Sequence, residues 1–149
     1  MKKVVVINGP NLNLLGRRDP RYYGSQTLDE INAKLAGLGS ELGIEVSFVQ
    51  SNHEGELVDA IQAAGREGAG VALNAGAYTH TSVAVRDAVE ACGAVVVEVH
   101  LSNPHAREQF RRVSLLSGVC AGTVAGFGWA SYALALTWLA RFAGEKSAP

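Results

Sequence analysis

Glu98 and His100 stand two residues apart in an apolar, β-branched run, so on a strand both side chains leave the same face. A carboxylate beside an imidazole fixes the ring's tautomer and favours its cationic form, which prepares a proton donor near neutral pH. The same spacing also suits a buried pair with no chemical task. Arg17-Arg18-Asp19-Pro20-Arg21-Tyr22-Tyr23-Gly24 sets two tyrosines among three arginines. A free phenol titrates near pH 10, too high for a base at neutrality, but cationic neighbours favour the phenolate. The plainer reading of that stretch is a solvated basic loop with aromatic anchors. Arg107, Arg111 and Arg112 form a second cluster. It suits an anionic, carboxylated small molecule, or equally an ion pair with Glu108 along a helix face.

Other chemistries find less support. Two imidazoles and a carboxylate could bind zinc, yet neither an H-E-x-x-H nor a cysteine-rich pattern occurs. Gly9-Pro10-Asn11 lacks the glycine fingerprints that cradle phosphate. Cys92 and Cys120 are far apart, in apolar surroundings, and read as small core residues of a reducing compartment. The first apolar run lacks the paired acidic residues of a magnesium-binding receiver domain. A flavodoxin-like electron carrier, or another module binding a small ligand, is the rival from a different class.

These groups need a scaffold, and the composition bounds it. At 149 residues the chain suits one domain, 1–149, large enough to need no disulfide or metal staple. With 48% hydrophobic and 18% charged residues, disorder is disfavoured. Thirteen Lys and Arg against fourteen Asp and Glu leave a net charge of -1, which argues against nucleic-acid binding. Val4 to Ile7 is too short for a signal peptide. Trp129 to Ala143 is apolar but is broken by Arg141 and falls short of the roughly 20 residues of a membrane span. No membrane association and a cytoplasmic location are expected.

The patterning predicts strands at Val4–Ile7, Ile44–Val49, Gly70–Leu73 and Ala94–Val99, with a fifth near the end of Leu115–Thr123. Helices are predicted over Thr27–Leu42, Glu56–Ala64 (closing at Gly65), Thr81–Cys92 and Trp129–Phe142. Alternating strands and helices imply a doubly wound parallel sheet, with the flavodoxin-like order 2-1-3-4-5 and helices on both faces. Residues 9–26 and 102–114 are too long for ordinary connections and read as functional loops. Gly16 and Gly24 bracket a lid at about 17–24, and residues 144–149 are expected to form a flexible tail. Polar clusters follow four predicted strands: Asn8 to Asn11, Gln50 to Glu54, Asn74 to Ser82, and Glu98 to Asn103. The carboxyl edge of the sheet, where open α/β sheets bind ligands, is the expected site, with His53, His80 and His100 along it.

The segments Asn8-Gly9-Pro10-Asn11-Leu12-Asn13-Leu14-Leu15-Gly16, Arg18-Asp19-Pro20, Tyr23-Gly24, Asn74 to Ser82 and Glu98 to Asn103 resemble type II 3-dehydroquinate dehydratases, as does Arg107 to Arg112. The likeness runs through nearly the whole chain in the family's order and spacing. It implies trans-dehydration of 3-dehydroquinate to 3-dehydroshikimate through an enolate, in the shikimate pathway. No metal and no cofactor are implied, and the implied assembly is a homo-oligomer, a dodecamer of trimers. By the same resemblance Tyr23 is the proton acceptor, Arg18 the transition-state stabiliser, and Asn11 the holder of a water near the enolate oxygen. His100, oriented by Glu98, is the proton donor. Asn74, His80, Leu101, Ser102 and Arg111 are implied to bind substrate, with Arg107 at the rim on the lid side. Asp87 is implied to reach a neighbouring subunit's site. One departure is visible: Asp19 replaces the family's usual glutamate, shortening a lid side chain by a methylene. The chemistry agrees with the residues, because a β-hydroxy ketone needs a base, an enolate stabiliser and an acid.

Overall fold

β1 (Lys3–Asn8) carries the run Val4-Val5-Val6-Ile7, and all four side chains are buried. A continuous β-branched run of this kind needs cover on both faces. In this computed structural model, which describes residues 1–144, β1 pairs in parallel with β2 (Glu45–Gln50) and with β3 (Gly70–Asn74). Beyond β3 lie β4 (Val96–His100) and β5 (Gly122–Ala125), so the order is β2-β1-β3-β4-β5, as expected. Winding reverses between β1 and β3, and that reversal opens a crevice at their carboxyl ends.

Alternate residues of β1 feed two cores. Val4 and Val6 pack with Leu35 of α2 (Leu28–Leu42) and with Tyr132, Leu136 and Leu139 of α5 (Ala130–Arg141). Val5 and Ile7 pack with Leu57 and Ile61 of α3 (Glu54–Arg66) and with Val85 and Val89 of α4 (Val83–Ala91). The remaining helix, α1 (Pro20–Tyr23), is a single turn in the long loop after β1. No helix among the described residues is long and apolar enough to cross a membrane. The tail expected at 144–149 lies, apart from Gly144, outside the described residues.

Local chemistry sets the helix ends. Thr27 accepts the Glu30 N–H at 3.2 Å, and Gly43 closes α2 in the left-handed conformation at φ 71°. The helix expected from Thr81 starts at Val83 instead, because the Ser82 hydroxyl caps it by accepting the Val85 N–H at 2.9 Å. The stop expected at Gly65 is corrected: α3 runs through it to Arg66. A Cβ at Gly65 would collide with the Cys92 carbonyl, so this glycine lets α3 approach the end of α4 rather than ending a helix. Gly9 has a similar role at the crevice. Its N–H donates to the Asn74 carbonyl at 2.8 Å, and a Cβ there would strike the Ala75 carbonyl. Glycine thereby allows the loops leaving β1 and β3 to lie against each other.

Candidate active site

The loops after β1, β3 and β4 line one pocket at the carboxyl edge, with Arg18 and Tyr23 of the long loop after β1 at its wall. Asn11, Arg18, Tyr23, Asn74, His80, His100, Leu101, Ser102, Arg107 and Arg111 all line it. Glu98 stands behind His100. Thus all but one of the twelve expected site residues meet at one place. The exception is Asp87, exposed on α4 and outside the pocket.

Two cations converge on one phenol. Arg18 Nη2 donates to the Tyr23 Oη at 2.7 Å, and Arg107 Nη1 donates to the same oxygen at 2.6 Å. Arg18 also stacks on the Tyr23 ring, its Cζ 3.7 Å from the centroid. Burial pulls the Arg18 guanidinium below its ordinary value; Tyr23 opposes the shift, and the charges of Arg107 and Arg111 add to it. An oxygen receiving two guanidinium N–H groups is well placed to carry negative charge. Arg107, expected at the rim, therefore reaches Tyr23 itself, through an 84-residue separation that sequence spacing does not disclose.

Two glycines flank the 17–23 segment with positive φ, Gly16 at 93° and Gly24 at 72°, where other residues would be strained. Asp19 caps α1 by accepting the Arg21 N–H at 3.0 Å and pairs with the Arg21 guanidinium at 2.6 Å. Arg21 thereby holds the Asp19 carboxyl below its usual range. Asp19 thus serves the turn of its own loop.

Glu98 and His100 form the expected pair, with His100 Nε2 2.5 Å from Glu98 Oε2. Both are buried, Glu98 to 1% exposure. Burial alone would raise the Glu98 carboxyl, but donors from His100, Ser117 and Ser114 outweigh it and hold it below the usual carboxylate value. Glu98 is therefore an anion, and His100 Nε2 must donate to it. Nδ1 is left as the ring nitrogen for a molecule in the pocket. His80 has the opposite arrangement: its Nδ1 lies 2.7 Å from the Val113 carbonyl, so Nδ1 carries the proton and Nε2 is the free nitrogen.

Asn74 is set by a buried chain of amides. Its Oδ1 accepts the Gly76 N–H at 3.1 Å, and its Nδ2 donates to Tyr132 Oη at 2.8 Å. Tyr132 in turn donates to Asn8 Oδ1 at 2.5 Å. Burial pushes the Tyr132 phenol well up, so it stays neutral. Asn11 adopts φ 66°, a left-handed conformation that asparagine tolerates, and donates its N–H to Asn52 Oδ1 at 3.0 Å.

Several sequence expectations need correction. His53 is exposed at the start of α3 and does not line the pocket; the cluster after β2 contributes through Asn52, which supports Asn11. The Arg107–Arg112 segment is not an α-helix face; it holds one 3-10 turn, Gln109–Arg111. Within it Arg111 both lines the pocket and donates to Glu108 at 3.1 Å, whereas Arg112 is not part of that lining. Burial, then the Glu98 charge, pushes the Cys120 thiol up to about 12, in keeping with an inert core cysteine. Among the described residues, no group of three or more His, Cys, Asp or Glu is placed to hold a metal ion. Sequence reasoning missed Tyr132, which looked like one more residue of an apolar helix, and Ser114 and Ser117, which carry no motif.

A doubly wound sheet whose switch-point crevice combines a carboxylate–imidazole dyad with a phenol under two cations is an α/β fold equipped with groups suited to proton abstraction and proton donation. The family model described as dehydroquinase class II matches residues 2–140, and the chain belongs to that family. It is 54% identical over 133 residues to the 3-dehydroquinate dehydratase of Rhizobium johnstonii, covering 89% of this chain and 92% of the relative. With the 3-dehydroquinate dehydratase of Pelotomaculum thermopropionicum it shares 53% identity over 142 residues, covering 95% and 99%. The crystal structure of the type II dehydroquinase from Propionibacterium acnes superposes with a TM-score of 0.91 at 42% identity, covering 94% of this chain and 97% of that one.

Proposed function

We propose that the chain dehydrates 3-dehydroquinate to 3-dehydroshikimate in the shikimate pathway, by trans elimination through an enolate. Tyr23, as phenolate, removes the C2 proton, and the C–H electrons move into the enolate. Arg18 and Arg107 take up the charge on the phenol before transfer, and Asn11 holds a water against the enolate oxygen. His100, as imidazolium paired with Glu98, protonates the departing hydroxyl, which leaves as water. Tyr23 ends protonated and His100 neutral, so one proton must pass back through solvent before the next cycle. Asn74, His80, the Leu101–Ser102 backbone and Arg111 bind the hydroxyls and carboxylate, with Arg107 closing over them.

One observation carries this reading: a phenolic oxygen receives two guanidinium groups, at 2.7 and 2.6 Å, in the pocket that also holds the buried acid dyad. In the same reading the protein acts in the cytoplasm as a dodecamer of trimers, and exposed Asp87 serves a neighbour's pocket. Exposed Val83 on the same helix, with exposed Phe110 and Val113, gives apolar surface for such contacts. The test is the appearance of conjugated enone absorbance from 3-dehydroquinate with EDTA present. Turnover is expected to persist in the chelator, to vanish in Tyr23→Phe while substrate still binds, and to fall at least about 10²-fold in His100→Ala. Near-normal turnover in Tyr23→Phe would overturn the assignment of the base.

A further inference from the structure

Glu98 accepts more hydrogen bonds than its pairing with His100 accounts for. Ser114 Oγ lies 2.9 Å from Glu98 Oε1 and 3.1 Å from Oε2, and Ser117 Oγ lies 2.7 Å from Oε1. The direction of the Ser114 bond is fixed by its other partners. Its oxygen accepts the backbone N–H groups of Leu116 at 3.1 Å and Ser117 at 3.0 Å, so its single proton goes to the carboxylate. Ser117 Oγ accepts from Thr123 Oγ1 at 3.4 Å and likewise sends its proton to Glu98. The turn carrying both serines is itself anchored. Leu115 N–H donates to the Thr79 carbonyl at 2.9 Å, and Arg86 Nη1 donates to the Leu115 carbonyl at 2.6 Å.

We infer that Ser114 and Ser117 are positioning residues for the proton-donation step. They hold the carboxylate ionised in a buried place, with their shorter bonds on Oε1, and so turn Oε2 toward His100 Nε2. The ring is thereby locked with Nδ1 toward the pocket. Neither serine lines that pocket, so each acts through Glu98 and His100. This inference rests on the dehydratase reading for its kinetic test and on geometry alone for its spectroscopic one.

Ser117→Ala is the cleaner variant, because Ser117 is exposed and, among the described residues, its hydroxyl bonds to Glu98 and Thr123 alone. Ser114→Ala also removes an acceptor from two backbone N–H groups. The expected result is a fall in kcat on the order of 10-fold for Ser117→Ala and up to about 100-fold for the double alanine variant, the scale for groups that orient a reacting side chain. KM should stay within about twofold, and Ser117→Thr, which keeps the hydroxyl, should restore kcat. Independently of turnover, imidazole 15N spectra of the wild type should show His100 protonated at Nε2, and the double variant should show a mixture of tautomers. Unchanged kcat in Ser117→Ala beside a large loss in His100→Ala would overturn the role of the serines and leave the dehydratase reading intact. If the wild type failed to turn over 3-dehydroquinate, that reading would fall. An unaltered His100 tautomer in the double variant would still overturn the inference by itself.

Discussion

Replacing Glu98 by glutamine keeps the shape of the side chain and exchanges one acceptor oxygen for a donor. In the native site three side chains donate to this carboxylate: Ser114, Ser117 and His100. The amide offers one oxygen. If that oxygen faces the two serines, its NH2 group opposes His100 Nε2, which must then become an acceptor. The proton shifts to Nδ1 in the neutral ring, and no anion remains to support the imidazolium. For unit charges about 4 Å apart at an effective dielectric near 20, the lost attraction is about 4 kcal/mol. As a barrier increase that is roughly 10³-fold in kcat. A triad aspartate changed to asparagine, which likewise forces the wrong tautomer, loses about 10⁴. The assay is enone formation from saturating 3-dehydroquinate, with circular dichroism to confirm folding. A folded Glu98→Gln protein retaining kcat within about threefold would refute the reasoning, since neither the charge nor the tautomer would then matter.

The Glu98 carboxyl is held below its ordinary value, so its stabilising contribution is complete above the unfolded carboxylate value, about 4.3, and is lost as pH falls through the lower native value. Urea midpoints measured down the acid range should fall less steeply in Glu98→Gln than in the wild type; parallel curves would contradict this. Tyr132→Phe leaves Asn74 Nδ2 and Asn8 Oδ1 without their partner in a fully buried place, at a cost of about 1–3 kcal/mol each way the amides fail to re-pair. Its urea midpoint should drop and KM should rise, and an unchanged pair of values would show that the amides are held otherwise. Gly9→Ala sets a methyl against the Ala75 carbonyl, where backbone must shift, so it should cost about 1–3 kcal/mol in chemical denaturation.

Much of the site was legible because strands have period two and end where their polar clusters begin. Glu98 and His100 share a face for that reason alone, and the long loops after β1 and β4 stood out against ordinary connections. What stayed hidden depends on tertiary approach. Arg107 meets Tyr23 from a distant loop, and Ser114 reaches Glu98 only because Arg86 and Thr79 anchor its turn. Tyr132 sits among Ala135, Leu136 and Leu139 in a helix whose pattern reports burial and nothing else. His53 misled in the opposite sense, since a polar residue at a strand end need not face the crevice when its strand lies at the sheet's edge.

The bond between Tyr132 and Asn8 staples the last described helix to the first strand beneath the Asn74 amide. A nascent chain still on the ribosome, with α5 unsynthesised, can pair β1 with β2 and β3 yet holds Asn74 only through the Gly76 N–H, its Nδ2 still without Tyr132. The buried amide chain at the crevice is therefore completed late in synthesis, and a product terminated before α5 would lack it even where its sheet had formed.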